Sequence, residues 1–248
     1  MADIKVNIKN LTKAFDNNMV LDDISLNVAV GENLIVFGRS GSGKSVLLKC
    51  IIGLMIPEAG EILIDNKNVL KLKTSELNLV RKQIGFLFQS GALYDSMTVR
   101  ENLAFPLIRN FDFEFKEVEE KVINALKMVS LEDAIDKMPS ELSGGMKKRA
   151  ALARSIITEP RLMLYDEPTT GLDPLTTKEI SELILELQKK LNMTSIVVTH
   201  DLICANIIAD RAIFLRDSKI KYEGTIEELT NSNDTFLRNF FSTESIIS

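Results

Sequence analysis

The sequence predicts an α/β fold: a mostly parallel sheet carrying helices on its faces, an antiparallel β region at the N-terminal end, and an inserted helical region. Three observations predict it. The first third alternates apolar and polar residues with a period of two. From Val99 to about Thr158 the character is helical, and beyond that short apolar strands alternate with helices. A chain of 248 residues, 45% hydrophobic and 26% charged, fits one large domain or a core with a subdomain.

Element by element, "IKVNIKNL" (residues 4–11) and "ISLNVAV" (24–30) alternate as half-buried antiparallel strands do. "NLIVFG" (33–38) is continuously apolar, as a strand covered on both faces must be. "GEILIDN" (60–66) adds a strand and "QIGFLFQ" (83–89) a further buried one. In "FKEVEEKVINALKMV", Val118, Val122, Ala125, Leu126 and Val129 form one stripe at helical spacing, which packs against neighbouring helices. Then follow "RLMLYD" (161–166), a helix over 178–191, "TSIVVTH" (194–200), a helix after Asp201, and "RAIFL" (211–215). The tail from Asn231 is polar and then aromatic, a pattern suited to docking.

A net charge of −5 argues against nucleic acid, whose binding rests on basic patches, and gives no polybasic grip on anionic lipid. Lys71, Lys73, Arg81 and Lys82 read as a solvated face. Cys50 and Cys204 lie far apart without metal spacing; with no secretory segment recognised, reduced cytosolic thiols are expected. No apolar run reaches the roughly 18 residues of a membrane span, so the chain is expected not to cross a bilayer.

"GRSGSGKS" (38–45) follows one apolar strand and precedes the apolar helix "SVLLKCIIGL", the context that a phosphate-binding loop requires. Gly38, Gly41 and Gly43, with Arg39, Ser40 and Ser42 between them, allow backbone N–H groups to curl around phosphate oxygens. The helix that begins near Lys44 and runs through Val46 adds its positive end. Lys44 suits the β- and γ-phosphates, and the Ser45 hydroxyl suits Mg²⁺. The ligand is a nucleoside triphosphate, and the fold a P-loop NTPase core.

"RLMLYDEP" supplies carboxylates at the end of a buried strand: Asp166 for the magnesium shell, and Glu167 to polarise an attacking water. His200, the single histidine, ends the next apolar strand, where ligands of parallel sheets gather, and is assigned to the γ-phosphate and the water.

"ELSGGMKKRAALARSI" (141–156), together with "GRSGSGKS", "FLFQSG", "TTGLDP" and "VVTHD" in that order, strongly resembles the nucleotide-binding subunits of ATP-binding cassette (ABC) transporters. The resemblance covers nearly the whole chain. It implies a RecA-like core over residues 1–89 and 159–230, which includes the antiparallel β subdomain, a helical subdomain over 90–158, and a tail over 231–248. It implies a homodimer in which two ATP lie between one subunit's phosphate loop and the other's Ser143, Gly144 and Gly145. Gln89 would touch magnesium and water and sense the membrane partner, and Asp173 would link the two sites. Phe15 falls where the family places a ring against adenine, although "KAFDN" also fits a strand end with a core phenylalanine.

Met146 stands where the family's signature usually has glutamine, which implies slower or more tightly coupled turnover. "MPSELSGGMKKRAALARSI" and the run over 83–107 look like the ATPases of the bacterial maintenance-of-lipid-asymmetry and MCE-type systems. That likeness implies phospholipid movement between inner and outer membranes from the cytoplasmic face of the inner membrane. The partners implied are a permease, an MCE-domain protein and often a small cytosolic subunit; another small cargo is the alternative. Tyr94, Met97 and Phe105 fit either a permease contact or burial within the subdomain. Phe236, Phe240 and Phe241 suggest that the tail docks on the second subunit.

Overall fold

The structure is a computed structural model and describes residues 3–16 and 18–247, with side chains to residue 242. The N-terminal strands β1 (Ile4–Phe15) and β2 (Asn18–Ala29) pair antiparallel, with Val6 opposite Val28 and Ile8 opposite Leu26. Strand β3 (Asn33–Phe37) is buried at every position and feeds helix α1 (Lys44–Ile51) through residues 38–43. Burying each such aliphatic side chain contributes about 1.5–3 kcal/mol, so the strand beneath the loop is a firm base. Strands β4 (Ala59–Ile64) and β5 (Lys67–Asn68) complete a four-stranded antiparallel sheet in the order β2-β1-β4-β5.

Helix α2 (Thr74–Arg81) then leads into β6 (Ile84–Leu87). This helix corrects the reading of Lys71, Lys73, Arg81 and Lys82 as one solvated face. Arg81 is half-buried: its Nε donates to the Ile52 carbonyl at 3.0 Å and its Nη2 to the Gly53 carbonyl at 2.9 Å, satisfying groups at the end of α1. Lys82 Nζ donates to the Asn110 carbonyl.

The middle of the chain is helical: α3 (Val99–Asn110), α4 (Phe115–Met128) and α5 (Gly144–Ile156). Val118, Val122, Ala125, Leu126 and Val129 are all buried, as the stripe predicts. Thr98 caps α3, accepting from Glu101 N while the Glu101 carboxylate accepts from Thr98 N.

Strand β7 (Leu162–Asp166) is followed by α6 (Pro174–Leu191), β8 (Thr194–Val198), α7 (Leu202–Ile208), β9 (Arg211–Arg216) and β10 (Lys219–Gly224). Helix α6 begins four residues before the expected 178, because Asp173 caps it and Pro174 takes the first helical position, where no N–H is needed. Among the described residues these strands form a six-stranded sheet, β10-β9-β3-β8-β7-β6, parallel except for the edge strand β10. Parallel pairing sets the C-terminal ends of β3, β7 and β8 side by side: Leu34 faces Ile196, and Asp166 faces Val198.

Helices α8 (Ile226–Thr230) and α9 (Thr235–Ile247) close the chain. Within the chain, the tail packs on its own sheet. Phe241 is buried and its ring centre lies 5.6 Å from that of Phe37; Phe240 stands 4.7 Å and Phe236 5.2 Å from Phe214. The chain's own sheet supplies the aromatic partners that the tail requires. Cys50 and Cys204 are both buried, and burial pushes their thiols up to about 11 and about 12. Among the described residues no helix is long and apolar enough to cross a membrane.

Candidate nucleotide site

A cleft of about 820 Å³ opens at the C-terminal ends of β3, β7 and β8, lined by the whole loop from Gly38 to Val46 with Gln89, Glu167 and His200. Gly41 (φ +80°) and Gly43 (φ +98°) hold backbone that side chains disfavour. A Cβ on Gly43 would also stand 2.9 Å from the Val20 carbonyl oxygen and side chain. Left-handed backbone of this kind is what lets successive N–H groups form an anion-binding concavity.

Lys44 is buried, and its Nζ donates to the Gly38 carbonyl at 2.7 Å and lies 3.7 Å from Glu167 Oε1. Its ammonium is thus anchored inside the loop it serves. Ser42 lines the cleft, and its Oγ is buried against Gly38 without a hydrogen-bond partner among the described residues. Arg39, Ser40 and Gly41 lie exposed along the rim.

Ser45 Oγ donates to Asp166 Oδ1 at 2.7 Å, so α1 and β7 present a hydroxyl and a carboxylate together. With the Gln89 amide on the same cleft, these are hard oxygen donors of the kind Mg²⁺ takes. No cluster of three His, Cys, Asp or Glu side chains suited to a metal occurs among the described residues. A magnesium ion would therefore complete its shell with phosphate and water oxygens, which is how that ion usually binds.

Glu167 follows β7 with φ +51°, a strained conformation held in part by its N–H donating to the Val198 carbonyl at 2.9 Å. Its carboxylate meets His200 Nδ1 at 2.8 Å and accepts from Thr170 Oγ1 at 3.4 Å. Burial pushes its carboxyl up, but the hydrogen bond and charge of His200, with the charge of Lys44, outweigh burial and hold it below the ordinary glutamate range. The residue after His200 is held in place: Asp201 caps α7 through Ile203 N and Cys204 N, and accepts from Thr169 Oγ1.

The remaining predicted residues lie outside this cleft. Ser143 and Gly144 are exposed at the start of α5, with Ser143 Oγ accepting from Met146 N and Gly145 next in the helix. Asp173 is exposed and accepts from Thr176 N and Oγ1, bonds that hold its carboxyl low. Phe15, at the end of β1, is exposed and absent from the lining; the Lys13 ammonium stands 5.0 Å from its ring centre. Val20 lines the cleft instead, an aliphatic residue that carries no motif signal. Met146 packs half-buried against the helical core.

Two contributors escape a reading of the sequence. Lys148 is a buried cation on α5 whose Nζ donates to the Gln89 carbonyl at 2.6 Å; desolvation lowers its pKa although Glu167 opposes that. Asn102, fully buried on α3, donates to the Tyr94, Met97 and Thr98 carbonyls and accepts from Tyr94 N, pinning the segment after Gln89.

Fold and cleft together are those of a P-loop nucleoside triphosphatase. A family model described as ABC transporter matches residues 21–170. The chain is 42% identical over 240 residues, 97% of this chain and 91% of the relative, to the intermembrane phospholipid transport system ATP-binding protein MlaF of Haemophilus influenzae. It is 37% identical to the probable ribonucleotide transport ATP-binding protein mkl of Mycobacterium leprae, over 96% of this chain and 69% of that one. Among solved structures, the dimeric post-hydrolysis state of the ATP-binding cassette MJ0796 bound to ADP and Pi superposes with TM-score 0.81 and 35% identity, covering 89% of this chain and 98% of that one. The cbiO1 structure from Clostridium perfringens gives 0.83 and 30%, covering 99% and 94%. The chain belongs to the ABC transporter family, as an ATP-binding and hydrolysing subunit.

Proposed function

We propose that this subunit drives phospholipid transport between the bacterial inner and outer membranes, working as a homodimer on the cytoplasmic face of the inner membrane. The single observation that carries the chemistry is the meeting of Lys44, Ser45, Asp166, Glu167 and His200 at the ends of three adjacent strands. The cargo rests on the likeness to the phospholipid transport ATPase.

Gly38, Gly41 and Gly43 cradle the phosphates, Lys44 turns from the Gly38 carbonyl and Glu167 toward the β- and γ-phosphates, and Ser45, Asp166 and Gln89 would hold Mg²⁺. When bound, magnesium neutralises charge that develops on the phosphate oxygens. Glu167, ionised and low in pKa, orients the attacking water and accepts its proton late, while His200 fixes the carboxylate and reaches the γ-phosphate. Ser143, Gly144 and Gly145 complete the partner's cleft, Asp173 links the two sites, and Phe15 takes the adenine only if the β1 end moves inward.

Residues 90–158 serve as the helical subdomain on the 1–89 and 159–230 core. A cavity of about 360 Å³ beside Gln89 suits a cytoplasmic helix of the permease, because it is lined by Phe88, Tyr94, Phe105 and Arg154. Tyr94 and Phe105 are exposed with ring centres 5.1 Å apart, which favours the docking role over burial. An MCE-domain protein and a small cytosolic subunit would complete the assembly.

A different small cargo has in its favour the relative named for ribonucleotide transport. Purification with the native permease decides between them. Phospholipid recovered by mass spectrometry, with lipid-stimulated ATPase activity, is the expected result. Stimulation by ribonucleotides, without lipid, would replace the cargo.

A further inference from the structure

Helix α9 shares a wall with the phosphate cleft, and none of the roles above uses it. Phe236, Asn239 and Phe240 line the cleft together with Gly38–Val46. Phe37, the last residue of β3 and the neighbour of Gly38, is fully buried. Its ring centre lies 6.2 Å from that of Phe214, 6.1 Å from Phe240 and 5.6 Å from Phe241. Phe240 therefore touches both the cleft and the residue from which the phosphate loop springs.

The loop has little slack at that point. A Cβ on Gly38 would stand 2.6 Å from the Leu215 carbonyl oxygen, and the Gly38 carbonyl accepts from Lys44 Nζ. A shift of Phe37 would thus pass to Gly38 and to the ammonium it holds. The helix is itself secured: Asp234 accepts from Phe236 N at 2.8 Å and Leu237 N at 3.2 Å, and the Arg216 guanidinium lies 3.8 Å from the Phe236 ring centre.

We propose that α9 is a positioning element of the nucleotide site: Phe240 and Phe241 hold Phe37 and with it the mouth of the phosphate loop, so nucleotide binding and α9 docking reinforce each other. Linkage makes the effect reciprocal, since a helix that favours the bound cleft must be favoured by the bound nucleotide. The inference rests on the nucleotide reading of the cleft. Packing on the sheet alone predicts a helix whose protection ignores nucleotide.

Hydrogen exchange of the full chain, with and without ADP and magnesium, tests it; ADP fills the cleft without the γ-phosphate contacts that would bring in a second subunit. Exchange over residues 235–242 should slow about fivefold or more with ADP. Phe240→Ala should bind fluorescent ADP about fivefold more weakly, with Phe240→Leu in between. ADP binding that leaves exchange over 235–242 unchanged overturns the proposal. The wild-type exchange decides alone if the alanine variant does not fold. Failure of the wild-type chain to bind ADP at all would overturn the nucleotide reading, and this inference with it.

Discussion

Glu167 combines burial, left-handed backbone and contact with a cation and an imidazole within one side chain. Replacing its carboxylate by the isosteric amide keeps the shape and removes the base. Glu167→Gln should lower ATP turnover roughly a hundredfold or more, with nucleotide binding retained, as steady-state rates and titration will show. The same residue sets a pH dependence. Its folded-state pKa is lowered, so its stabilisation is fully present above the ordinary glutamate pKa and is lost as pH falls through the lowered value. The gap in melting temperature between wild type and Glu167→Gln should therefore narrow toward acid; a widening gap contradicts the assignment. Lys148 belongs to this scale as well. Lys148→Met removes the donor that fixes the Gln89 carbonyl, so turnover should fall about tenfold while nucleotide affinity stays within about twofold, as a split of kcat from KM.

Among the elements, the strand–loop–helix over β3 and α1 carries the most consequence. Gly43→Ala places a Cβ against Val20 at φ +98°, where a side chain is strained, and should cost about 1–3 kcal/mol and abolish nucleotide binding. Denaturation and nucleotide titration measure both effects. Arg81→Ala strips two carbonyls at the end of α1 of a charged donor and should cost roughly 1–3 kcal/mol in urea unfolding. Much of this scale was legible. Continuous apolar runs named β3, β7 and β8, because strands covered on both faces need no polar alternation. Helix α2 was hidden because it buries fully only Val80, too little to set a period. The start of α6 was hidden because proline reads as a breaker, although the first helical position accepts it.

Across the whole molecule, the Gly38–Val46 loop, Gln89, Glu167 and His200 line one cleft because each follows a strand that the parallel sheet brings into line, whereas Ser143, Gly144, Gly145 and Asp173, at helix starts, lie outside it. Lys148 and Asn102 stayed unread, as a charge or amide on a helix looks solvated until the tertiary partner is known. The surface that the tail meets is hidden for a related reason: aromatic spacing shows that Phe236, Phe240 and Phe241 need a surface, not which surface. The central claim concerns a cleft that is half a site, with Ser143 and Gly144 exposed on the same chain but outside its own lining. Light scattering of Glu167→Gln with ATP and magnesium tests it most directly. The account predicts a species of twice the 27.8 kDa chain mass that reverts when nucleotide is removed; a nucleotide-saturated protein that stays at the mass of one chain would contradict it.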